Sequence, residues 1–122
     1  MTITPGIYNI RMIQGATFNP VFTWKDENNA LVNLTGYTAK MQGRTTFKSR
    51  STFFNLTTEN GGITLGGAAG TIALLLTATQ TAALNQNGVY DLKLYTPSAT
   101  QEYRLFKGTV IIDPEVTTWV QQ

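Results

Sequence analysis

The chain contains no cysteine and no histidine. Without cysteine there is no disulfide and no thiolate, whether as nucleophile or as metal ligand. Without histidine the commonest general base and metal ligand at neutral pH is missing. Charge is scarce too: 13% of the 122 residues are Asp, Glu, Lys or Arg, where a soluble domain typically carries about 25%. Nine cations against seven carboxylates leave a net charge of +2, too small a surplus to argue for nucleic acid by itself. Long apolar runs are absent. The longest, Ile72 to Leu76, is far too short to cross a bilayer, so no membrane partner is expected. The opening Met1-Thr2-Ile3-Thr4-Pro5 has neither the basic nor the apolar region of a signal peptide.

What is present suits a globular β protein. Hydrophobic residues make up 42%, and Thr is the commonest residue. A Thr-rich surface with little charge fits a protein packed against neighbours, and it equally follows from high strand content, because Thr favours strands. The length predicts one domain over 1–122 with a single core.

Period-two alternation recurs along the chain, broken by turn residues. It predicts strands over 7–12, 17–24, 30–32, 37–45, 52–56, 63–65, 71–76, 89–95 and 101–112. Tyr37, Ala39 and Met41 should face the core, with Thr38, Lys40, Gln42 and Arg44 outward. Pro20 cannot donate to a ladder, which marks 17–24 as an edge strand or a bulge. Thr77 to Leu84 alone reads as helical: Thr77 can cap it and Gln80 stands three residues on, as a capping box needs. Asn85-Gln86-Asn87-Gly88 stops it. About seven to nine strands with one short helical turn near 78–84 predict an all-β, antiparallel sandwich or barrel.

One corner sharpens this to an immunoglobulin-like sandwich. A helical turn followed by Asn87-Gly88-Val89-Tyr90-Asp91-Leu92 has the layout of the entry to strand F, where a Tyr opens the strand and its hydroxyl bonds back to the preceding turn. Tyr90 is therefore expected as a structural tyrosine corner, with Leu92 at the inward position often held by Cys.

Chemistry finds little support. Asp91 and Glu102 lie on neighbouring strands, and a carboxylate pair could in principle serve acid–base work. Asp91, however, faces outward by parity with Leu92, and Lys93 offers it a salt-bridge partner. The glycine-rich stretches at 61–62 and 66–70 open no helix, so they read as turns and not as phosphate cradles. No enzyme activity, cofactor or metal is expected. Lys40, Arg44, Lys48 and Arg50 form the one basic concentration, with Phe47, Phe53 and Phe54 interleaved. This mixture could platform single-stranded nucleic acid, but the small net charge argues instead for a protein contact, since Arg and Phe are favoured anchors. Arg44, Phe47, Lys48, Arg50 and the C-terminal Trp119 are the expected interface residues.

The residues carry a resemblance as well. Asn33-Leu34-Thr35-Gly36-Tyr37-Thr38-Ala39-Lys40-Met41-Gln42 resembles the D-L-T-G-Y-x-A-x-x-Q-I-R segment of small tailed-bacteriophage virion proteins. The W-x-D-x-x-G-x-P-V stretch that precedes it there is matched by Trp24 to Val32. Gly62-Ile63-Thr64-Leu65, Gly70-Thr71-Ile72, Thr77 to Thr81, Val89 to Leu92 and Gly108 to Thr117 keep the pattern's order over nearly the whole chain. Asn33 replaces the usual Asp, and Asn29-Ala30 replace the Gly and Pro of the turn; both positions look structural. The resemblance implies an immunoglobulin-like sandwich similar to the N-terminal domain of upper-baseplate proteins. It further implies a structural role in the tail, baseplate or fibre-attachment region, with other virion proteins as partners and homo-oligomers within the particle. Localisation would be the virion, and the bacterial host cytoplasm during assembly. Because the chain ends at Gln122, a small adaptor is expected. A capsid decoration or neck protein, and a soluble carbohydrate- or nucleic-acid-binding module, remain the alternatives. Residues 1–5 and 116–122 are expected to include an extended arm that adds a strand to a neighbour's sheet, or else flexible ends.

Overall fold

The computed structural model describes residues 6–46, 48–98 and 100–114. Phe47, Trp119 and the arms expected at 1–5 and 116–122 lie outside the described residues. In chain order the elements are β1 (Gly6–Ile7), β2 (Ile10–Ile13), β3 (Val21–Thr23), β4 (Thr38–Arg44), β5 (Phe54–Thr57) and β6 (Ile63–Leu65). A 3-10 turn (Gly67–Ala69), β7 (Thr71–Leu74), α1 (Ala78–Ala82), β8 (Gly88–Tyr95) and β9 (Glu102–Asp113) follow.

Two sheets form. The larger runs β1-β9-β8-β4-β5, with β2 also on β9; the smaller runs β3-β7-β6. This order puts β3, β7 and β6 in the places of strands B, E and D of an immunoglobulin-like sandwich, and β9, β8 and β4 in those of G, F and C. The fold is thus an all-β immunoglobulin-like sandwich with one short helix. Its pairings are antiparallel except at the start, where β1 and β2 run parallel to β9. β8 already occupies the other side of β9.

The alternation read from the sequence sorts the core as expected. Ile10 and Met12 of β2, Met41 of β4, Leu92 and Leu94 of β8, and Val110 of β9 are buried against Ile63, Ile72 and Leu74 of the smaller sheet. Each such side chain contributes about 2 kcal/mol of burial. β3 lies at a sheet edge as Pro20 requires, and the Pro20 carbonyl still accepts from the Leu74 N–H at 3.0 Å. The capping box is present: Thr77 Oγ1 accepts from the Gln80 N–H at 3.2 Å, and Gln80 Oε1 accepts from the Thr77 N–H at 2.8 Å. One turn later the buried Thr81 hydroxyl accepts from the Gly15 N–H at 3.1 Å and reaches the Ala16 carbonyl at 2.8 Å, fastening α1 to the turn after β2.

Three expectations are corrected. The short strand over 30–32 does not form; a single bridge, Lys25 to Leu31, stands in its place. Asp26 Oδ1 takes the N–H groups of Asn28 (2.9 Å) and Ala30 (3.0 Å), and Asn29 adopts a left-handed φ of 64°, so the segment closes as a turn. The strand over 7–12 is split at Tyr8-Asn9. The Tyr8 N–H donates to the Lys107 carbonyl at 2.9 Å, but the Thr109 N–H turns to Asn9 Oδ1 at 3.1 Å. The Tyr8 carbonyl is left free to accept the Tyr90 hydroxyl at 2.6 Å. Tyr90 therefore ties the first strand to β8, whereas the corner layout predicts a bond back to its own preceding turn.

The third correction concerns β9. Its register against β8 shifts between Leu92 and Lys93, so that Leu92 faces Phe106 while Lys93 faces Arg104. Leu105 is the extra residue of a β-bulge. It is buried, and its neighbour Phe106 packs against Tyr8 and Phe22, with ring centroids 6.4 and 5.0 Å away. Two consecutive apolar residues thus face inward. Strict alternation would put Arg104 and Lys107 on opposite faces of the sheet; the bulge puts both outside.

Candidate functional site

Charge is segregated between the two sheets. The outward positions of the smaller sheet are Val21, Thr23, Thr64, Thr71 and Ala73, all uncharged. The outward face of the larger sheet carries Arg11, Lys40, Arg44, Lys93, Arg104 and Lys107 against Asp91, Glu102 and Asp113, and Arg11 and Asp113 pair with each other at 3.0 Å at the β2 edge.

The pairing register orders these side chains in ranks across β4, β8 and β9. Thr38, Tyr95 and Glu102 form the first rank; Lys40, Lys93 and Arg104 the second; Gln42, Asp91 and Lys107 the third; Arg44, Val89 and Thr109 the fourth. Side chains directly opposite on neighbouring strands stand about 5 Å apart at Cβ. Apart from Thr38 and Glu102, these residues line an open hollow of about 800 Å³ together with Ile7 and Asn9.

Hydrogen bonding fixes part of this surface. The Arg44 guanidinium donates to Gln42 Oε1 and to the Ser49 carbonyl, both at 2.8 Å, so it braces the loop between β4 and β5 while keeping its charge at the hollow. Lys93 pairs with Glu102 at 3.5 Å. Its partner is therefore not Asp91, the neighbour expected from the sequence; Glu102 lies diagonally across the strand pair, within reach of a long side chain. Lys40, Asp91, Arg104 and Lys107 have no ion pair among the described residues. Tyr90 lies at the edge of the hollow with its ring buried, and burial, then neighbouring Tyr8, pushes its phenol well above the ordinary tyrosine range. It stays a hydrogen-bond donor.

Of the interface residues expected from the sequence, Arg44 reaches this face. Lys48 and Arg50 are exposed in the loop beyond it. Lys40, part of the same basic concentration, stands in the second rank. Lys93, Arg104 and Lys107 were missed by sequence reasoning. Parity with Leu92 and Leu94 would have placed Lys93 outward, but nothing local signals that β8 and β9 lie beside β4. Among the described residues no three Asp or Glu side chains converge as a metal site would need.

No protein-family model matches the chain, and no curated protein matches it in sequence. Among solved structures, the chain is similar to the extracellular domain of the voltage-gated sodium channel β4 subunit, whose parallel homodimers explain its role in cell–cell adhesion. The TM-score is 0.49 and the identity 13%, over 95% of this chain and 99% of that one. It is also similar to a voltage-gated sodium channel β subunit analysed by photo-crosslinking for multimeric cell-adhesive interactions, with a TM-score of 0.46 and 14% identity over 96% and 99% of the two chains. Tim-1 is similar with a TM-score of 0.42 and 10% identity, over 93% of this chain and 98% of Tim-1.

Proposed function

We propose that the chain is a non-catalytic docking module, a structural protein of a tailed-phage particle that joins components of the tail, baseplate or fibre-attachment region. The observation that carries the docking role is the outer face of the larger sheet: ranked side chains, surplus positive charge, and neither a histidine nor a thiol to act as base or nucleophile.

The phage assignment is supported by what the pattern residues do. Asn29 takes the left-handed turn conformation that suits the glycine of the W-x-D-x-x-G pattern, and Asn is the residue after Gly that tolerates it best. Asn33 Oδ1 accepts from the Thr35 N–H at 3.0 Å and from its hydroxyl at 2.6 Å, a role the pattern's Asp would fill equally. Gly70 has φ 68°, and a Cβ there would meet the carbonyl oxygens of Trp24 and Val32 at 2.9 Å, so no side chain fits.

Mass spectrometry of gradient-purified particles tests this reading. The chain should be present in fixed proportion to other tail proteins and should follow the tails when heads are detached. Its absence from particles overturns the proposal; retention on the heads moves it to a capsid role.

A further inference from the structure

We propose that the outer face of the larger sheet binds an acidic, extended segment of a partner protein. This rests on the docking role above and adds the chemistry of what is docked. Lys40, Lys93 and Arg104 stand directly opposite one another across three adjacent strands, and only Lys93 has an anionic partner. Like charges in opposed positions weaken a sheet. Burial of the alternate residues Ala39, Met41, Leu92 and Leu94 already sets these strands, so the rank of cations serves no need of the fold. Lys107, brought to the same face by the bulge at Leu105, extends the positive surface into the next rank.

Two features favour a polypeptide over a nucleic acid. Asp91 sits between Gln42 and Lys107 in the middle of the face. There it repels phosphates and carboxylates alike, but it can accept from the N–H and hydroxyl groups that a polypeptide offers and a phosphodiester backbone lacks. Single-strand binding also relies on several aromatic platforms, whereas Tyr95 is the one aromatic in the four ranks. Carboxylates at alternate positions of an extended segment lie about 7 Å apart, a spacing that lysine and arginine side chains on neighbouring ranks can follow.

The test is fluorescence anisotropy of a labelled glutamate-rich peptide with the full chain, beside a neutral glycine–serine peptide and a single-stranded thymidine oligonucleotide. Lys107→Glu should weaken the glutamate-rich peptide about fivefold or more. Lys25→Glu carries the same charge change away from the face and should leave binding unaltered, while Asp91→Asn should tighten it. Circular dichroism confirms that each variant is folded. The inference is overturned if the glutamate-rich peptide does not bind, if Lys25→Glu weakens it as much as Lys107→Glu, or if the oligonucleotide binds as tightly through Lys107. Presence of the chain in particles without peptide binding would defeat this inference alone. Peptide binding without particle association would defeat the phage assignment alone.

Discussion

The Tyr90 hydroxyl donates to the main-chain carbonyl of Tyr8 at 2.6 Å, and so joins β8 to the break between β1 and β2. In an unbroken parallel ladder that carbonyl would take the Thr109 N–H. Asn9 intercepts the amide with its side chain at 3.1 Å, and the phenol takes the vacated acceptor. Tyr90→Phe removes the donor and leaves the aromatic packing intact. Its stability in urea should fall by about 1 kcal/mol, with the mid-point shifted and the slope unchanged.

The same phenol makes stability sensitive to alkali. Burial raises the Tyr90 pKa in the folded chain above the value of about 10 that it has when unfolded. The folded state therefore holds the proton more tightly. This contribution is complete below about pH 10 and is lost as pH rises from there toward the folded-state value. Urea mid-points measured across the alkaline range should fall more steeply for the parent chain than for Tyr90→Phe.

Gly108 faces Tyr90 across the strand pair, and a Cβ there would run into the Tyr8 carbonyl. Gly108→Ala should destabilise the chain by about 1–3 kcal/mol through that overlap. Double-mutant analysis with Tyr90→Phe should show non-additivity, because both changes act on one carbonyl.

The helix is held at two points that thermal melting can separate. Thr77→Ala removes the cap and should cost about 1 kcal/mol, largely restored by Ser. Thr81→Val leaves the Gly15 N–H without its acceptor and should cost about 1–3 kcal/mol, with no rescue from a residue that lacks a hydroxyl.

The cations of the docking face should behave in the opposite way. Lys40→Glu sets a carboxylate opposite Lys93 in place of a like charge. Stability in urea should stay within about 0.5 kcal/mol of the parent or rise, while acidic-peptide binding weakens. A residue that can be exchanged without loss of stability but not without loss of binding belongs to the contact surface.

Much of this was legible in the residues themselves. Alternation over 37–45 puts Ala39 and Met41 inward and Lys40 and Arg44 outward, parity within 89–95 puts Asp91 opposite to Leu92, and Thr77 with Gln80 marks the start of α1, all as observed. Side-chain parity and capping are local, so neighbouring residues suffice to specify them. The polar residues 25–29 read as a turn, but the strand expected over 30–32 does not form: Ala30, Leu31 and Val32 look like apolar strand residues, while Asp26 engages the Ala30 amide and a single bridge at Leu31 remains. The Leu105-Phe106 doublet broke the alternation of β9, yet it does not say by itself which residue is extra.

The sequence alone thus determined an all-β sandwich, the inward positions Ala39, Met41 and Leu92, the helix cap and the outward parity of Lys40 and Arg44, since each follows from period and chemistry within a few positions. Only the tertiary structure decided that β4, β8 and β9 lie side by side, that a bulge swings Lys107 round to join Arg104, and that Tyr90 reaches Tyr8 instead of its own turn. Those relationships join residues as many as 82 positions apart. They depend on which strand edges meet when the core closes, and no local pattern encodes that choice.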